Sequence, residues 1–488
     1  MELALSATAL VLLAAAILAW GRMGLPGPWG VPFFYNFFDI LQHKARIYDW
    51  FTENTLKYGD VWMVTAPAKP WIVVVSDTKS IDHVLRTNFD NYIKGPNMIK
   101  ILHDFLGDGI FNTNGRNWKQ QRQTASHLFK VKELRHMAEI FLSHGRQVVE
   151  ILEGKQGQEV DMQELFARFT LDSIGEIAFG KKIGSLEKPV AFSLAFNQAQ
   201  LLTDSRFQNT DFWMPWIDTE REMREALKVL DEFAYGIIKE RRQDSNIATK
   251  TDLLSRYIGM TDDDGEPFTD KYLRDIVLNF MIAGRDTTSQ ALTWCFYLLS
   301  LNPAAKAKLV AEVDSKLGGH EPSFANVDDL PFLHAVVNET LRLYPPVPVD
   351  SKSAVNDDVL PNGAVIRAGM SLNYPIWVIN RLPQYWDRPN EFWPERWLDA
   401  PDLGASGLRP VPKNNSLPFI PFNFGPRTCL GMKMAYLEVK MMAVLLLQRF
   451  ELELAPNQEV QYKSAITLSA KNGIRMVPRL REQPTTSA

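Results

Sequence analysis

The ten residues Phe422 to Gly431 constrain this chain more than any other feature. They read F-x-x-G-x-R-x-C-x-G and lead into an apolar segment with helical spacing, Leu430 to Phe450. One thiol, Cys429, therefore follows an arginine by two residues and stands just before a helix. Backbone N–H groups near a helix N-terminus and a nearby cation both stabilise a thiolate, and glycine lets the backbone approach a flat, bulky group. The pattern predicts that Cys429 is a metal-binding thiolate.

The alternative for Cys429 is a buried structural cysteine, which is the usual role of a free thiol; the complete ten-residue frame favours the metal ligand. A single thiolate is the axial ligand of haem in enzymes that cleave dioxygen. The only other cysteine is Cys295, so a disulfide framework and a multi-thiolate zinc site are both excluded. We expect Cys295 to be a core residue. The eight histidines form no H-x-x-H or H-E-x-x-H pattern that would indicate a non-haem metal site.

The pattern along the chain predicts a mainly α-helical fold with small β-sheets (α+β), in one large domain over residues 33–488. The net charge of −4 gives no reason to expect a nucleic acid partner. Val61 to Val75 predicts a β-hairpin, Val347 to Leu372 short strands, and the tail from Phe450 to Pro478 a terminal β-pair. Apolar residues three and four apart predict helices, namely Asn117–Phe129, Leu134–Leu152, Met162–Phe179, Thr219–Arg242, Thr269–Leu301, Ala304–Leu317 and Pro331–Tyr344.

The N-terminus predicts a membrane anchor over residues 1–21. Leu3 to Trp20 is apolar, carries no charge and is just long enough to cross a hydrocarbon core. A cleavable signal peptide is the alternative, but the short head carries Glu2 and lacks the basic residues that a signal peptide needs. Cations follow the run, so the remainder of the chain is expected on the cytosolic side. The proline-rich residues 22–32 suit a stiff hinge.

The longest predicted helix contains the sequence A-G-R-D-T-T, beginning at Ala283. Gly284 costs a helix interior about 1 kcal/mol relative to alanine, so small residues there suggest a special purpose. Ala283 and Thr287 share one helix face, where a small side chain makes room for a ligand and a hydroxyl can order water. Asp286 adds an ionisable group. The alternative is that Thr287 only donates a hydrogen bond back to the carbonyl of Ala283.

Two further motifs pair charged or polar groups on a helix face. Glu339 and Arg342 are three residues apart in a largely apolar helix, which predicts a buried ion pair rather than an exposed one, with Arg396 as a third member. Trp118 and Arg122 are four residues apart, and both can donate to a carboxylate. Read alone, the latter segment also fits an ordinary surface helix.

These motifs occur in the order W-x-x-x-R, A-G-x-D-T-T, E-x-x-R, P-E-R-W and F-x-x-G-x-R-x-C-x-G, and together they resemble the cytochromes P450, the haem-thiolate monooxygenases. The resemblance covers essentially the whole chain. It implies Cys429 as the ligand of the iron of haem b and Asp286 with Thr287 as the acid–alcohol pair of oxygen activation. It further implies a set of cofactor-binding residues, in which the cations and the indole hold propionates: Trp118, Arg122, Lys352, Arg427, Phe422, Gly425, Gly431 and Ala283.

Four segments resemble, more narrowly, the fatty-acid and alkane ω-hydroxylases of fungi and plants: Asp108–Phe129, Ala283–Ser289, Glu339–Lys352 and Phe422–Met432. The P-E-R-F pattern of the family ends here in Trp397, a conservative departure. The expected substrate-contacting segments are apolar, which also suits sterols and terpenes; they are the loop from Ile93 to Phe111, the residues around Phe207 to Phe212, Ala283, Val347–Val349 and Ile466–Leu468.

The anchor and the resemblance imply a microsomal enzyme, single-pass in the endoplasmic reticulum membrane and monomeric. Electrons are then expected from NADPH through a flavoprotein reductase, with cytochrome b5 as a further candidate partner. Two alternatives stay open: a haem-thiolate isomerase or dehydratase acting on lipid hydroperoxides, and a haem sensor without turnover. The intact Thr287 and the ordinary Cys429 loop argue against the isomerase. With reductase present, an oxygenase should oxidise NADPH in a substrate-dependent way, whereas a sensor should not.

Overall fold

The structure is a computed structural model that describes residues 24–31, 34–67, 71–207, 218–261, 265–398 and 419–481. The predicted anchor (1–21), part of the hinge, most of Phe207–Phe212 and the surface loop expected at Ala400–Ser416 lie outside these ranges. Within them, no helix combines the length and the apolarity needed to cross a bilayer. The described part of the hinge is extended, and its Pro26 carbonyl accepts a hydrogen bond from the Met63 N–H (2.8 Å).

The described chain is mainly helical with small sheets, which confirms the predicted fold class. The helices are α1 Phe37–His43, α2 Ile47–Tyr58, α3 Thr78–Asp82, α4 Pro96–Leu106, α5 Gly115–Ser126, α6 Val131–Glu153, α7 Met162–Phe179, α8 Ala191–Arg206, α9 Asp218–Arg242, α10 Leu253–Ile258, α11 Asp270–Leu301, α12 Pro303–Leu317, α13 Pro331–Leu343, α14 Ile376–Ile379 and α15 Met432–Arg449. The strands are β1 Val61–Val64, β2 Ile72–Val75, β3 Tyr92–Ile93, β4 Val160–Asp161, β5 Asp350–Ala354, β6 Asp358–Val359, β7 Val365–Ile366, β8 Ser371–Tyr374, β9 Phe450–Leu454, β10 Tyr462–Lys463, β11 Ser469–Ala470 and β12 Arg475–Leu480.

Two compact units make up the described chain. The first comprises the described parts of Met1–Ile99, Val347–Glu391 and Val411–Cys429. Its centre is a five-stranded sheet of order β1-β2-β8-β5-β3, in which β1 and β2 are antiparallel, as the predicted hairpin requires, and β2 and β8 are parallel. Strands β5 and β8 are antiparallel, with Asp350 opposite Tyr374. This register brings polar residues of both strands to one end of the sheet.

The second unit is the helical one and comprises the described parts of Lys100–Pro346, Phe392–Pro410 and Leu430–Ala488. Its longest helix, α11, begins after Thr269, whose side chain accepts a hydrogen bond from the Tyr272 N–H, and is buried along most of its length. Helix α15 packs on α6, where a Cβ on Gly145 would lie 2.4 Å from Leu445 Cδ1. Strands β9 and β12 form the predicted terminal pair, and β4 adds a third strand.

One expectation about the substrate region needs correction. Residues 93–111 are not a loop, because α4 occupies most of them and buries Ile101, Leu102, Phe105 and Leu106. Pro96 stands at the start of that helix, where its missing N–H costs nothing, and does not break it. Helix α8 was not predicted, because its polar residues interrupt the apolar spacing on which helix prediction depends.

Candidate functional site

The loop that carries the exposed thiol is closed by backbone hydrogen bonds within the first unit. The Cys429 N–H donates to the carbonyl of Phe422 (2.8 Å), and the Thr428 N–H donates to the carbonyl of Gly425 (3.1 Å). Thr428 Oγ1 donates to the same carbonyl (2.7 Å). The Cys429 side chain is exposed and forms no disulfide. The loop therefore fixes the backbone that leads into an accessible sulfur atom.

Gly425 is needed in this loop for a reason that sequence reasoning did not identify. Its φ is +68°, and a Cβ at this position would lie 2.2 Å from the carbonyl oxygen of Leu85. A side chain would thus be strained by the backbone conformation and would also collide with a neighbouring main chain. The glycine lets the thiol loop pack directly against the segment that contains Leu85.

Lys352, predicted to contact a propionate, is buried in the first unit. Its Nζ donates to Asp350 Oδ2 (3.3 Å) and to Tyr374 Oη (3.2 Å). Burial is the largest cause that lowers the pKa of Lys352 to about 7, and the charges of Lys94 and Arg427 lower it further against the opposing effect of Asp350. Arg427 is therefore near Lys352, as the resemblance implies, but Lys352 already has a carboxylate partner.

In the second unit, Ala283 and Thr287 form the open face of α11. Between Leu273 and Phe296, these two are the only residues that are not fully buried. Thr287 Oγ1 donates to the carbonyl of Ala283 (2.7 Å), so the hydrogen bond expected in the purely structural alternative is present. The same hydroxyl oxygen still has lone pairs to accept a hydrogen bond from water, and the face that carries it is accessible.

Asp286 points away from that face and is buried between α11 and α8. Its Oδ1 accepts from Arg285 Nη1 (2.9 Å), and its Oδ2 accepts from Gln200 Nε2. Arg285 Nη2 donates onward to Asn197 Oδ1 (2.7 Å). Burial raises the pKa of Asp286, although Arg285 and Gln200 act in the opposite direction. The structure therefore gives Asp286 and Thr287 separate partners and does not bring their side chains together.

Two of these partners were missed by sequence reasoning. Gln200 lies on the unpredicted helix α8, and no short motif marks it. Arg285 stands inside the A-G-R-D-T-T motif, where its charge beside Asp286 was a signal that could have been used. Gly284 is explained by packing, because a Cβ there would lie 2.5 Å from Ile174 Cγ1 on α7. Thr170 Oγ1 of α7 donates to the carbonyl of Arg285 (2.8 Å) across the same contact.

Trp118 and Arg122 share one face of α5. Trp118 is buried, Arg122 is half-buried, and the guanidinium carbon of Arg122 lies 5.9 Å from the centre of the Trp118 ring. The two groups thus lie beside each other on the helix, and their binding of one anion stays a prediction. Gly431 is the N-terminal capping residue of α15, so the helix after the thiol begins as the sequence indicates.

The predicted buried ion pair of α13 is confirmed and has more members than expected. Arg342 donates to Glu339 through Nε (2.8 Å) and Nη2 (2.7 Å), and Arg396 Nε donates to Glu339 Oε1 (2.9 Å). The Trp393 N–H and the Trp397 indole N–H also donate to this carboxylate. Every lone pair of the buried charge therefore has a donor, which a buried ion pair requires.

The donor set of the described chain fits haem held by one thiolate. No group of three His, Cys, Asp or Glu side chains converges on a metal position in the described ranges. Cys295 is fully buried, and burial raises its pKa to about 12, which confirms its role as a core residue. Cys429 is the accessible thiol, in a loop with an arginine two residues earlier. A mainly helical protein with an accessible thiol in such a loop fits the class of haem-thiolate proteins.

Comparison with known proteins identifies the family. The sequence model of the family named Cytochrome P450 matches residues 25–474. The chain is 35% identical to Cytochrome P450 704C1 of Pinus taeda over 89% of this chain and 90% of that protein. It is 33% identical to Cytochrome P450 704B1 of Arabidopsis thaliana, over 94% of this chain and 95% of that one. It is also 33% identical to Cytochrome P450 monooxygenase cyp1 of Mycosarcoma maydis, over 89% and 70%.

The chain belongs to the cytochrome P450 family. It is accordingly a monooxygenase that uses haem with an axial thiolate and takes electrons from NADPH through a reductase. A lipophilic substrate and dioxygen are its small-molecule partners.

Proposed function

We propose that this P450 hydroxylates an unactivated C–H bond at or near the terminal carbon of a fatty acid or an alkane. The observation that best supports a haem-thiolate oxygenase is the accessible Cys429 thiol in its closed loop. The open face of α11 at Ala283 and Thr287 is a second, separate supporting feature. The finer substrate choice is supported by the resemblance of four segments to ω-hydroxylases and by apolar residues in the expected substrate segments.

Cys429 would hold the haem iron through Sγ, and Trp118, Arg122, Arg427 and Lys352 would face its propionates. When bound, haem supplies the binding and reductive activation of dioxygen, chemistry that belongs to the cofactor. The protein supplies an electron-rich sulfur ligand, which favours O–O cleavage.

Thr287 and Asp286 would manage protons in different ways. The Thr287 hydroxyl, oriented by its hydrogen bond to Ala283, can accept a hydrogen bond from a water on the open face and hold that water in place. Asp286 is buried with a raised pKa, so its carboxyl can hold a proton and release it after a side-chain rotation away from Arg285 and Gln200. Arg285 and Asn197 extend this path toward the exposed side of α8, where Asn197 lies.

We further propose that the protein is a monomer that is anchored in the endoplasmic reticulum membrane by residues 1–21 and has its catalytic domain in the cytosol. Reductase, and cytochrome b5 as an accessory, would dock from that side. The apolar run without basic residues before it supports an uncleaved anchor. Fractionation of the expressed chain, with and without residues 1–21, tests this proposal.

The substrate proposal is tested by binding spectra against a panel of medium- and long-chain fatty acids, alkanes, sterols and terpenes, followed by product analysis with reductase and NADPH. We expect the aliphatic compounds to bind and to yield terminal or subterminal alcohols. Turnover of a sterol or terpene alone would contradict the aliphatic substrate. Turnover of a lipid hydroperoxide without NADPH would contradict the oxygenase, and binding without any NADPH oxidation would indicate a sensor.

A further inference from the structure

A buried carboxylate, Asp350, joins the sheet of the first unit to the thiol loop. It begins β5, and its side chain is 13% exposed. Its Oδ1 accepts from Lys94 Nζ (2.7 Å), and its Oδ2 accepts from Tyr374 Oη (2.5 Å) and from Lys352 Nζ (3.3 Å). A third donor to Oδ2 comes from the loop itself, namely Asn423 Nδ2 (3.0 Å). One carboxylate is thus shared by three parts of the fold.

Asn423 is the residue through which the loop is held. It has φ +62°, a left-handed conformation that asparagine tolerates better than most residues. Its Nδ2 donates to Asp350 and, at 3.4 Å, to Tyr374 Oη, while its Oδ1 accepts from the Phe424 N–H (2.7 Å). The side chain is therefore bonded at both ends, and its neighbour Phe422 is the residue whose carbonyl accepts the Cys429 N–H.

The charges around Asp350 strengthen this contact. Burial acts to raise the pKa of Asp350, but Lys352 and Lys94 together hold it well below its ordinary range, so the side chain is ionised at neutral pH. Hydrogen bonds to an ionised acceptor are roughly twice as strong as those between neutral groups. Removing the charge would weaken the bond to Asn423 and would take the counter-ion from the buried Lys352 and the half-buried Lys94.

We propose that Asp350 is a positioning residue for the thiolate ligand: through Asn423 it holds the left-handed turn from which the Cys429 loop closes. The inference rests on Cys429 as the proposed haem ligand. Asp350 does not touch the sulfur atom and acts through the loop backbone. It therefore adds a residue 79 positions away in sequence to the machinery that keeps the sulfur in place.

The test uses the full-length, haem-loaded protein with three variants and one control. Asp350→Asn keeps the shape and removes the charge. Asn423→Gly keeps the left-handed conformation accessible and removes the amide. Tyr374→Phe removes one hydrogen-bond donor to Asp350 and replaces Asp350→Asn in the comparison if that variant does not fold. The control is Asp358→Asn, because Asp358 is a similarly buried carboxylate of the same unit, bonded to Tyr92, Asn88 and His83.

Hydrogen exchange at the Cys429 and Phe424 amides is the first measurement, and the rate at which the thiolate-type carbon monoxide band is lost is the second. We expect Asp350→Asn and Asn423→Gly to accelerate both by about tenfold, the scale of one hydrogen bond to a charged group, and Asp358→Asn to leave both unchanged. In the Asn423→Gly background, Asp350→Asn should add nothing.

Unchanged exchange in both loop variants would overturn the proposal, and so would a full additional effect of Asp350→Asn in the Asn423→Gly background. Failure of the ligand assignment gives a different result: Cys429→Ser would then keep its band, whereas the exchange measurement reports on the loop whichever residue binds iron.

Discussion

The indole N–H of Trp397 donates to Glu339 Oε2 at 2.9 Å, inside a fully buried cluster. Phenylalanine, which the family pattern has at this position, could not make this bond. The departure from P-E-R-F is conservative in size but not in hydrogen bonding, since it gives the buried carboxylate one more donor. Glu339 needs such donors, because it is shared by two buried arginines.

Trp397→Phe should therefore lower the free energy of unfolding by about 1.5–3 kcal/mol, the worth of a hydrogen bond to a charged group. Chemical denaturation of the full chain measures this loss. Trp386→Phe is the matched control, because the Trp386 indole donates to the neutral carbonyl of Ile379 (3.1 Å) and should cost about 0.5–1.5 kcal/mol. Equal losses of unfolding free energy in the two variants would show that an indole bond to the Glu339 carboxylate is worth no more than one to a neutral carbonyl.

A comparison of Thr287 with Thr293 tests the proposed catalytic role of the Thr287 hydroxyl. Both lie on α11 and both donate to the carbonyl four residues earlier, at 2.7 Å, but Thr293 is buried and Thr287 lies on the open face. Thr287→Ala should divert electrons into peroxide and lower product per NADPH several-fold, because the water on the open face loses the hydroxyl that holds it. Thr293→Ala should keep wild-type coupling, and Thr287→Ser should restore most of it.

Peroxide formation per NADPH consumed is the measurement for this pair. If Thr287→Ala and Thr293→Ala had the same coupling, the Thr287 hydroxyl would only bond back to the Ala283 carbonyl, and water on the open face would need another partner.

His334 should make the fold sensitive to mild acid. It stacks on Tyr436 with ring centres 4.7 Å apart; burial, followed by the charge of Lys440, lowers its pKa from 6.5 to about 3. In the unfolded chain His334 is protonated below about pH 6.5, whereas in the folded chain it is protonated only below about pH 3. Stability from this group is therefore complete above pH 6.5 and falls by up to about 1.4 kcal/mol per pH unit as the pH drops through that window.

Denaturation midpoints at several pH values between 7 and 4.5 check this dependence. His334→Phe should flatten it, since the ring can still stack on Tyr436 without titrating. His127→Phe, at an exposed position, should retain the wild-type slope. A slope that is identical in His334→Phe and the wild type would assign the acid sensitivity to other groups.

Patterns within one segment of the sequence were sufficient to predict features that depend on neighbouring residues. Helix α7 was predicted from its apolar spacing with its observed bounds, and in the structure Asp161 caps its start and Gly180 ends it in the left-handed conformation. Glu339 and Arg342 were paired correctly, since three residues on a helix bring side chains together. Helix α4 was missed, since residues 93–111 were expected to form a loop, although Pro96 is well suited to the first position of a helix.

Contacts between distant segments could not be predicted in this way. Asn423 and Asp350 are 73 residues apart, and their bond depends on the register of β5 against β8, which no single segment encodes. Likewise, the adjacency of Asp286 and Thr287 in the sequence did not show that their side chains have separate partners, since residues one apart on a helix point in different directions. The partners of Asp286 became evident only with α8 packed beside it.

The most direct test is the carbon monoxide difference spectrum of the reduced, haem-supplied protein in Cys429→Ser and Cys295→Ala. We predict that Cys295→Ala keeps the band that gives the family its name, because that thiol is a buried core residue, and that Cys429→Ser loses it. A Cys429→Ser protein that retained the band would contradict the assignment of Cys429 as the iron ligand.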